Sequence, residues 1–271
     1  MLSNFLLILS AAALSMALRS FQHPLLQKLG SLSILATSFL IGWLPTGYIL
    51  VGLLCSLSWF MLPWLEILTR IRKLRLPLEK NLRQKRPPSR DIFPLLDELT
   101  TEIEGESYAH MEDAGWDWDD YQQFFRLFYR KDDRSQTAIC LIDQQDVAFY
   151  YISISSRAKD GTIWTTWNYP FSHSLKLLPQ LKINRLGKGQ MFLQLQESHR
   201  TFLLNNNVSI EHLEELNPED IHEKIQKDLR LQIAHNIAKG VLTPAGEGQI
   251  RYSWRGLVFL WFQFLRDLVR L

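Results

Sequence analysis

The sequence predicts a membrane protein with N-terminal transmembrane helices, followed by an α+β soluble domain with an antiparallel sheet and C-terminal helices. Three observations predict it. Charge is segregated along the 271 residues. Residues 1–68 carry only Arg19, Lys28 and Glu66, residues 69–90 carry nine basic and one acidic side chain, and residues 91–120 carry eleven acidic side chains and no Lys or Arg. The 37 residues between Lys28 and Glu66 hold no charge at all. β-branched and aromatic residues then gather between 121 and 170, where strands are expected. The bulk composition, 46% hydrophobic and 21% charged with net charge +2, averages these unlike parts. It excludes a wholly disordered chain, and two cysteines exclude a disulfide scaffold.

The uncharged run is too long for one spanning helix, which needs about 20 apolar residues, and suits two. Leu44-Pro45-Thr46-Gly47 lies near its middle, and proline followed by glycine marks the break. The expected spans are about 29–44 and 48–68. Residues 1–18 form a further uncharged run, readable as a third span over about 3–18 or as a signal peptide. Residues 1–4 have no basic side chain, which favours a retained helix.

Basic residues crowd after the last span: Arg70, Arg72, Lys73, Arg75, Lys80, Arg83, Lys85, Arg86 and Arg90. A cluster so close to a membrane end is held on the cytoplasmic side, which places residues 91–250 in the cytoplasm of an inner (plasma) membrane protein. Three spans then put the N-terminus outside and the 19–30 loop, with Arg19 and Lys28, inside. Residues 69–90 read as a basic juxtamembrane linker. Arg70, Arg72, Lys73, Arg75, Lys80, Arg83, Lys85 and Arg86 are candidate contacts to anionic lipid head groups, each worth about 1 kcal/mol near such a surface. No nucleic-acid motif or interleaved aromatics accompany the cluster, so no specific nucleic acid is expected.

Pro87-Pro88 opens the soluble part. Ile92, Leu95, Leu96, Leu99 and Ile103 recur at helical spacing and predict a helix over Asp91–Glu104. Residues 104–120 are acidic and broken by glycines. Tyr121–Arg130 is aromatic and reads as a strand or a helix; strands are expected over Thr137–Ile142 and Val147–Ser156, then a turn at Lys159-Asp160-Gly161 and a returning strand over Thr162–Trp167. Leu181–Arg185 adds an edge strand, completing an antiparallel meander. Helices follow over Gly189–Leu204, ended by Asn205-Asn206-Asn207, and over Pro218–Leu242, with Asn217 as N-cap and Pro218 in the first turn. Gly246 and Gly248 read as a flexible break.

The last segment, 251–271, is amphipathic. Its uncharged core from Gly256 to Leu265 is ten residues, too short to span, and Arg251, Arg255, Arg266 and Arg270 flank it. An interfacial helix, a core helix on the sheet and a fourth span are the three readings.

Motifs for chemistry are sparse. The chain has no Walker A sequence, G-x-G-x-x-G, G-x-S-x-G, H-E-x-x-H or paired C-x-x-C. Cys55 and Cys140 read as structural thiols, and the seven histidines lack metal-ligand spacing. The carboxylates Glu112, Asp113, Asp117, Asp119 and Asp120 are dense enough to hold a divalent cation but are out of register for an EF-hand loop. They read better as solvated surface or as partners for the basic 70–90 segment. Trp164-Thr165-Thr166-Trp167-Asn168-Tyr169 could line a groove, although cross-strand aromatic packing accounts for it. No catalytic residue, metal or cofactor is implied.

Ser153-x-Ser155, Lys159-Asp160-Gly161-Thr162 and Thr165-Thr166-x-Asn168, with Tyr252-Ser253-x-Arg255-Gly256 before the last helix, form a pattern. It resembles that of uncharacterised bacterial membrane-anchored proteins with an α+β cytoplasmic domain. The resemblance covers about a fifth of the chain and brings no activity with it. The functional expectation is an integral membrane protein whose cytoplasmic domain binds a protein partner, a ligand or a second copy at the bilayer surface. The alternative is a membrane-associated enzyme without a readable motif.

Overall fold

Leucine and serine dominate the first 70 residues, and this stretch builds three helices: α1 (Leu2–Ser20), α2 (Pro24–Thr46) and α3 (Ile49–Glu66). The computed structural model describes residues 2–21, 23–119, 121–144, 147–187, 191–217 and 220–270. The chain divides into two units, Met1–Leu74 with Tyr252–Leu271, and Arg75–Arg251.

In the first unit α1, α2 and α3 pack consecutively as antiparallel neighbours. Each belongs to a segment long and apolar enough to cross a membrane: Leu2–Ser20, Lys28–Thr46 and Ile49–Ile71. Pro45 sits within the last turn of α2 instead of ending it, and the turn is made one step later. Gly47 takes φ +71° there and donates its N–H to Trp43 O at 2.7 Å. Pro63 lies inside α3, and the helix continues through a π-helical turn at Ile67–Ile71.

Burial in this unit runs opposite to that of a water-soluble protein. Leu2, Phe5, Leu14, Leu50 and Leu54 are exposed, while Ser15 and Thr37 are buried. Ser15 Oγ lies 2.7 Å from Ser33 Oγ and 3.4 Å from Thr37 Oγ1, joining α1 to α2. Ser56 donates to Leu35 O at 2.8 Å and Trp59 Nε1 to Ser38 Oγ at 2.7 Å, joining α2 to α3. Small residues at the crossings and polar bridges between helices are what holds helices together where apolar burial gains nothing. At the α2–α3 crossing a Cβ on Gly42 would lie 2.7 Å from Val51 O and 3.0 Å from Gly52 Cα.

The unit is completed by α7 (Trp254–Arg270). Its Trp261 donates Nε1–H to Phe60 O at 2.8 Å, and its ring lies 5.9 Å from that of Trp64.

The second unit is an α/β domain with a mixed sheet. In chain order it holds β1 (Leu76–Pro77), β2 (Arg83–Gln84), α4 (Leu96–Gly105), β3 (Ala109–Trp118), β4 (Tyr121–Arg130), β5 (Ser135–Gln144), β6 (Val147–Arg157), β7 (Ile163–Trp167) and β8 (Leu181–Arg185). α5 (Phe192–Asn205), α6 (Ile221–Ala238), β9 (Leu242–Gly246) and β10 (Gln249–Tyr252) follow. Strands β2 to β8 form one seven-stranded sheet in sequential order, and β1, β10 and β9 form a second.

The large sheet is covered on both faces. Phe124, Phe128, Ile139, Leu141, Ile152 and Ile154 meet α4 and α5 through Leu96, Ile103, Phe192 and Leu195. On the opposite face Trp116, Phe125, Leu127, Tyr129 and Cys140 meet Ile221, Ile225 and Leu229 of α6. Two-sided burial explains why successive residues of β4 and β5 are buried instead of alternating, as in Phe124-Phe125 and Ala138–Leu141.

The expected purely antiparallel meander is corrected at its end: β8 pairs with β7 in parallel, Ile163 opposite Leu181 and Trp167 opposite Arg185. A parallel partner needs a crossover of a dozen or so residues. Residues 168–180 supply it, and buried Asn236 of α6 clamps it, accepting from Lys176 N at 2.8 Å and donating to Lys176 O at 2.9 Å. The strand composition of 181–185 carries no direction, so the connection decides.

Other boundaries move for local reasons. The acidic 104–120 stretch contains β3, because its charges are paired across strands. The linker 69–90 contributes the two-residue strands β1 and β2. Pro94 keeps its predecessor out of helical geometry, so α4 starts at Leu96 instead of Asp91. The α6 cap falls at Asp220, not Asn217. Gly189, Pro218 and Asp120 lie outside the described residues. Gly246 and Gly248 flank the turn between β9 and β10 at φ +85° and +70°, so this stretch is a hairpin and not a flexible break.

Gly42→Ala is expected to cost about 1–3 kcal/mol by overpacking the α2–α3 crossing. Gly105→Ala, where nothing lies within 4 Å of the new Cβ, is expected to be neutral. Thermal unfolding of the detergent-solubilised chain compares them, and equal midpoints would refute the close crossing.

Candidate functional site

The strongest polar constellation of the α/β domain sits between α5 and the sheet. β6 and β7 pair with Ile154 opposite Thr166, which sends Ile152, Ile154, Ser156 and Thr166 to the face that α5 covers. His199 descends from α5 onto this face. Its Nε2 lies 3.0 Å from Ser156 Oγ and its Nδ1 3.0 Å from Thr166 Oγ1. Asn184 of β8 donates Nδ2–H to Ser198 Oγ at 2.8 Å, tying the parallel strand to the same helix.

A Ser–His pair at hydrogen-bond distance is half of a nucleophilic site. Here the other ring nitrogen meets a hydroxyl and not a carboxylate. Ser156 is 1% and His199 3% exposed, so no substrate reaches the pair. Burial pulls the His199 imidazolium down to about 4, against the smaller opposing pull of Asp133. The ring is therefore neutral near pH 7, one nitrogen donating and one accepting, and the two hydroxyls satisfy both.

A second buried cluster adjoins it. Arg130 pairs with Asp133 and lies 4.5 Å over the Tyr108 ring. Tyr108 Oη and Ser135 Oγ are 2.7 Å apart, and Ser135 donates to Asp133 Oδ1 at 2.6 Å. Desolvation pushes the Asp133 carboxyl up, but hydrogen bonds from Arg130 and Ser135 outweigh it and hold the group below its usual range. Burial raises the Tyr108 phenol. Tyr108 packs edge-on against Phe192 of α5 at 5.5 Å, so these groups tie the β4–β5 turn to that helix, and Asp133 is partly exposed at its rim.

Two surface depressions among the described residues bear on function. A cleft of about 170 Å³ has Lys85, Arg86, Gln122 and Asp143 around a floor of Phe124 and Leu141. An open groove of about 480 Å³ follows α5, lined by Leu193, Gln194, Glu197, Ser198 and Thr201.

The basic residues singled out from sequence do not form one set. Arg70, Arg72 and Lys73 belong to the helical unit, and Arg75, Lys80, Arg83, Lys85 and Arg86 to the α/β domain. Arg70 pairs with Glu66 at 3.2 Å, and the Arg72 guanidinium lies 4.6 Å from the Trp254 ring centre. Lys73 is exposed. Arg75 accepts from Trp118 Nε1 at its carbonyl, at 2.9 Å. Lys80 Nζ lies 4.5 Å over Trp116, and burial lowers its ammonium to about 8. Arg83 is exposed on β2 opposite Gly115. Lys85 pairs with Asp117 at 2.5 Å, and Arg86 is exposed beside the small cleft.

The acidic residues are likewise distributed. Asp113 faces Arg126 across β3 and β4 and takes a bidentate pair, both contacts 2.8 Å. Glu112 meets His222 Nδ1 at 3.1 Å, while His222 Nε2 lies 3.2 Å from Leu82 O. Asp119 occupies a left-handed turn position, φ +52°. Among the described residues no three His, Cys, Asp or Glu side chains come together as a metal site. Trp164 packs on Phe202 of α5 and Trp167 on Tyr151 and Tyr169, so the aromatic run divides between the two sheet faces.

Sequence reading passed over Ser156, Thr166 and His199 as a group. The available signal was His199 on the apolar face of its helix, a position that buries it. The partners lie 43 and 33 residues away and carry no spacing signature.

Comparison with known proteins returns no matching family model, no matching curated protein and no matching solved structure.

Because its folded pKa is about 4 against about 6.5 unfolded, the stabilisation that His199 provides as a neutral ring is complete above about pH 6.5. It is lost as pH falls toward 4, a loss of roughly 3 kcal/mol. His199→Gln is expected to be less stable at pH 7 but to lose less on acidification. Parallel stability curves for the two proteins between pH 7 and 4 would refute the assignment.

Proposed function

We propose that this chain is a multi-pass protein of the inner (plasma) membrane whose α/β domain lies on the cytoplasmic side and binds a partner or ligand at the membrane surface. The observation that carries the membrane part is the inverted burial of the helical unit. Leucine faces outward along α1, α2 and α3, and serine and threonine hydroxyls meet inside. The nine basic side chains of residues 69–90, directly after the last apolar helix, support the cytoplasmic orientation.

Binding is favoured over catalysis by the form of the domain's surface. The groove along α5 is open and carries exposed Leu193, with exposed Leu204 one turn beyond its end. The Ser156–His199 pair, the nearest approach to a nucleophile and base, is closed within the core. An enzyme remains the second reading because Lys85, Arg86, Gln122 and Asp143 converge on one small cleft.

Reporter fusions after residues 22, 46, 90 and 271 test the orientation. Cytoplasmic signals at 22, 90 and 271 with an external signal at 46 are expected. An external signal at 90 would make the domain extracytoplasmic and overturn the reading. In the same membranes a photo-crosslinker at Leu193 is expected to give a discrete adduct, and one at exposed Glu247 none. The reverse pattern would remove the α5 groove as the binding surface.

A further inference from the structure

α7 carries two apolar surfaces, and only one is used inside its own unit. Leu257, Leu260 and Gln263 are buried, and Trp261 is fixed to α3 by its hydrogen bond to Phe60 O and its packing on Trp64. A helix with one such contact face ordinarily shows polar residues to solvent. Here Trp254, Val258 and Phe262 follow at i, i+4 and i+8 and are 59%, 41% and 56% exposed. They form one continuous stripe along the helix.

Charge lies along the border of this stripe. Arg255 and Arg266 are exposed beside it, and the Arg72 guanidinium stacks on Trp254 at its N-terminal end. One acidic residue, Asp267, accompanies them among the described residues of the helix. Tryptophan with arginines at its flank is the composition of a helix at the level of lipid head groups. The helix has 17 residues, but only ten in succession are uncharged. Ten residues rise about 15 Å, half of a bilayer core, so the helix does not cross. α7 is packed directly on α3, whose exposed side chains Leu53, Leu57 and Leu65 are apolar.

We infer that α7 is a membrane-interfacial helix, its Trp254–Val258–Phe262 stripe embedded at the head-group boundary of an anionic leaflet and Arg255 and Arg266 set against lipid phosphates. The inference rests on the reading that α1, α2 and α3 span the bilayer. It adds that the chain returns to the same membrane after the α/β domain, through lipid contact and not through a further span.

The test uses the full chain with Cys55→Ala. Cys140, 2% exposed, stays unlabelled. Single cysteines at Val258, Phe262, Arg255 and Leu57, midway along α3, carry an environment-sensitive fluorophore. The labelled proteins are reconstituted in phosphatidylcholine vesicles with and without phosphatidylglycerol. Shallow spin-labelled lipid is expected to quench the 258 and 262 labels severalfold more than the 255 label, and deep spin-labelled lipid to quench the Leu57 label. Omitting phosphatidylglycerol should reduce quenching at 258 and 262 severalfold and leave Leu57 unchanged. If Leu57 is quenched while 258 and 262 report water, the interfacial assignment falls and the spanning bundle stands. If Leu57 itself reports water, the spanning reading falls. Efficient disulfide formation between copies at 258, with no lipid quenching, would assign the stripe to a second copy and overturn the lipid assignment.

Discussion

The hydroxyls of Ser15, Ser33 and Thr37 meet inside a helical unit whose outer surface is leucine and phenylalanine, and the rest of that unit follows from this arrangement. In water such helices would turn their leucines inward and leave the hydroxyls to solvent. Where the surroundings are as apolar as leucine, burying leucine gains nothing, and contact between helices must come from close packing and hydrogen bonds. Gly42 and Gly52 allow the close packing between α2 and α3, and Ser56 and Trp59 add hydrogen bonds across the same pair.

The α/β domain obeys the opposite rule, and its energy lies in two apolar layers on either side of one sheet. The polar groups that dock the helices on those layers are held by specific partners. His199 sits between two hydroxyls, Arg130 between a carboxylate and an aromatic face, Asn236 against both backbone groups of Lys176. An unmatched buried donor or acceptor costs on the order of 1–3 kcal/mol, so such clusters specify how the helices dock without offering a reactive group. That is the physical reason for reading the buried histidine as architecture and turning to the surface for function.

What the sequence revealed was set by range. The apolar helices, the strand starting at Val147 and the Asp-Gly turn at 160–161 rest on neighbouring residues, and they were legible. β3 was obscured because its carboxylates looked solvated. Asp113 is instead neutralised by Arg126, opposite it across the strand pair and thirteen positions away in sequence. The parallel direction of β8 was illegible because it is fixed by residues 168–180 and by Asn236, sixty positions beyond the residue it clamps. The candidate lipid-contact residues were legible as a charge run, but their distribution between the two units, with Lys80 over Trp116 and Lys85 on Asp117, depends on β3 and could not precede it.

The chain leaves the helical unit after Leu74 and re-enters it at Tyr252. The α/β domain is therefore an insertion within that unit and not an appendage at its end. A domain on a single stalk is released by one cut, and its reach grows with the length of the stalk. This domain closes a loop, so one break in either connection leaves it attached, and lengthening one connection extends its reach only as far as the other permits. Every point on its surface is consequently confined to a bounded volume, fixed by the shorter of two tethers.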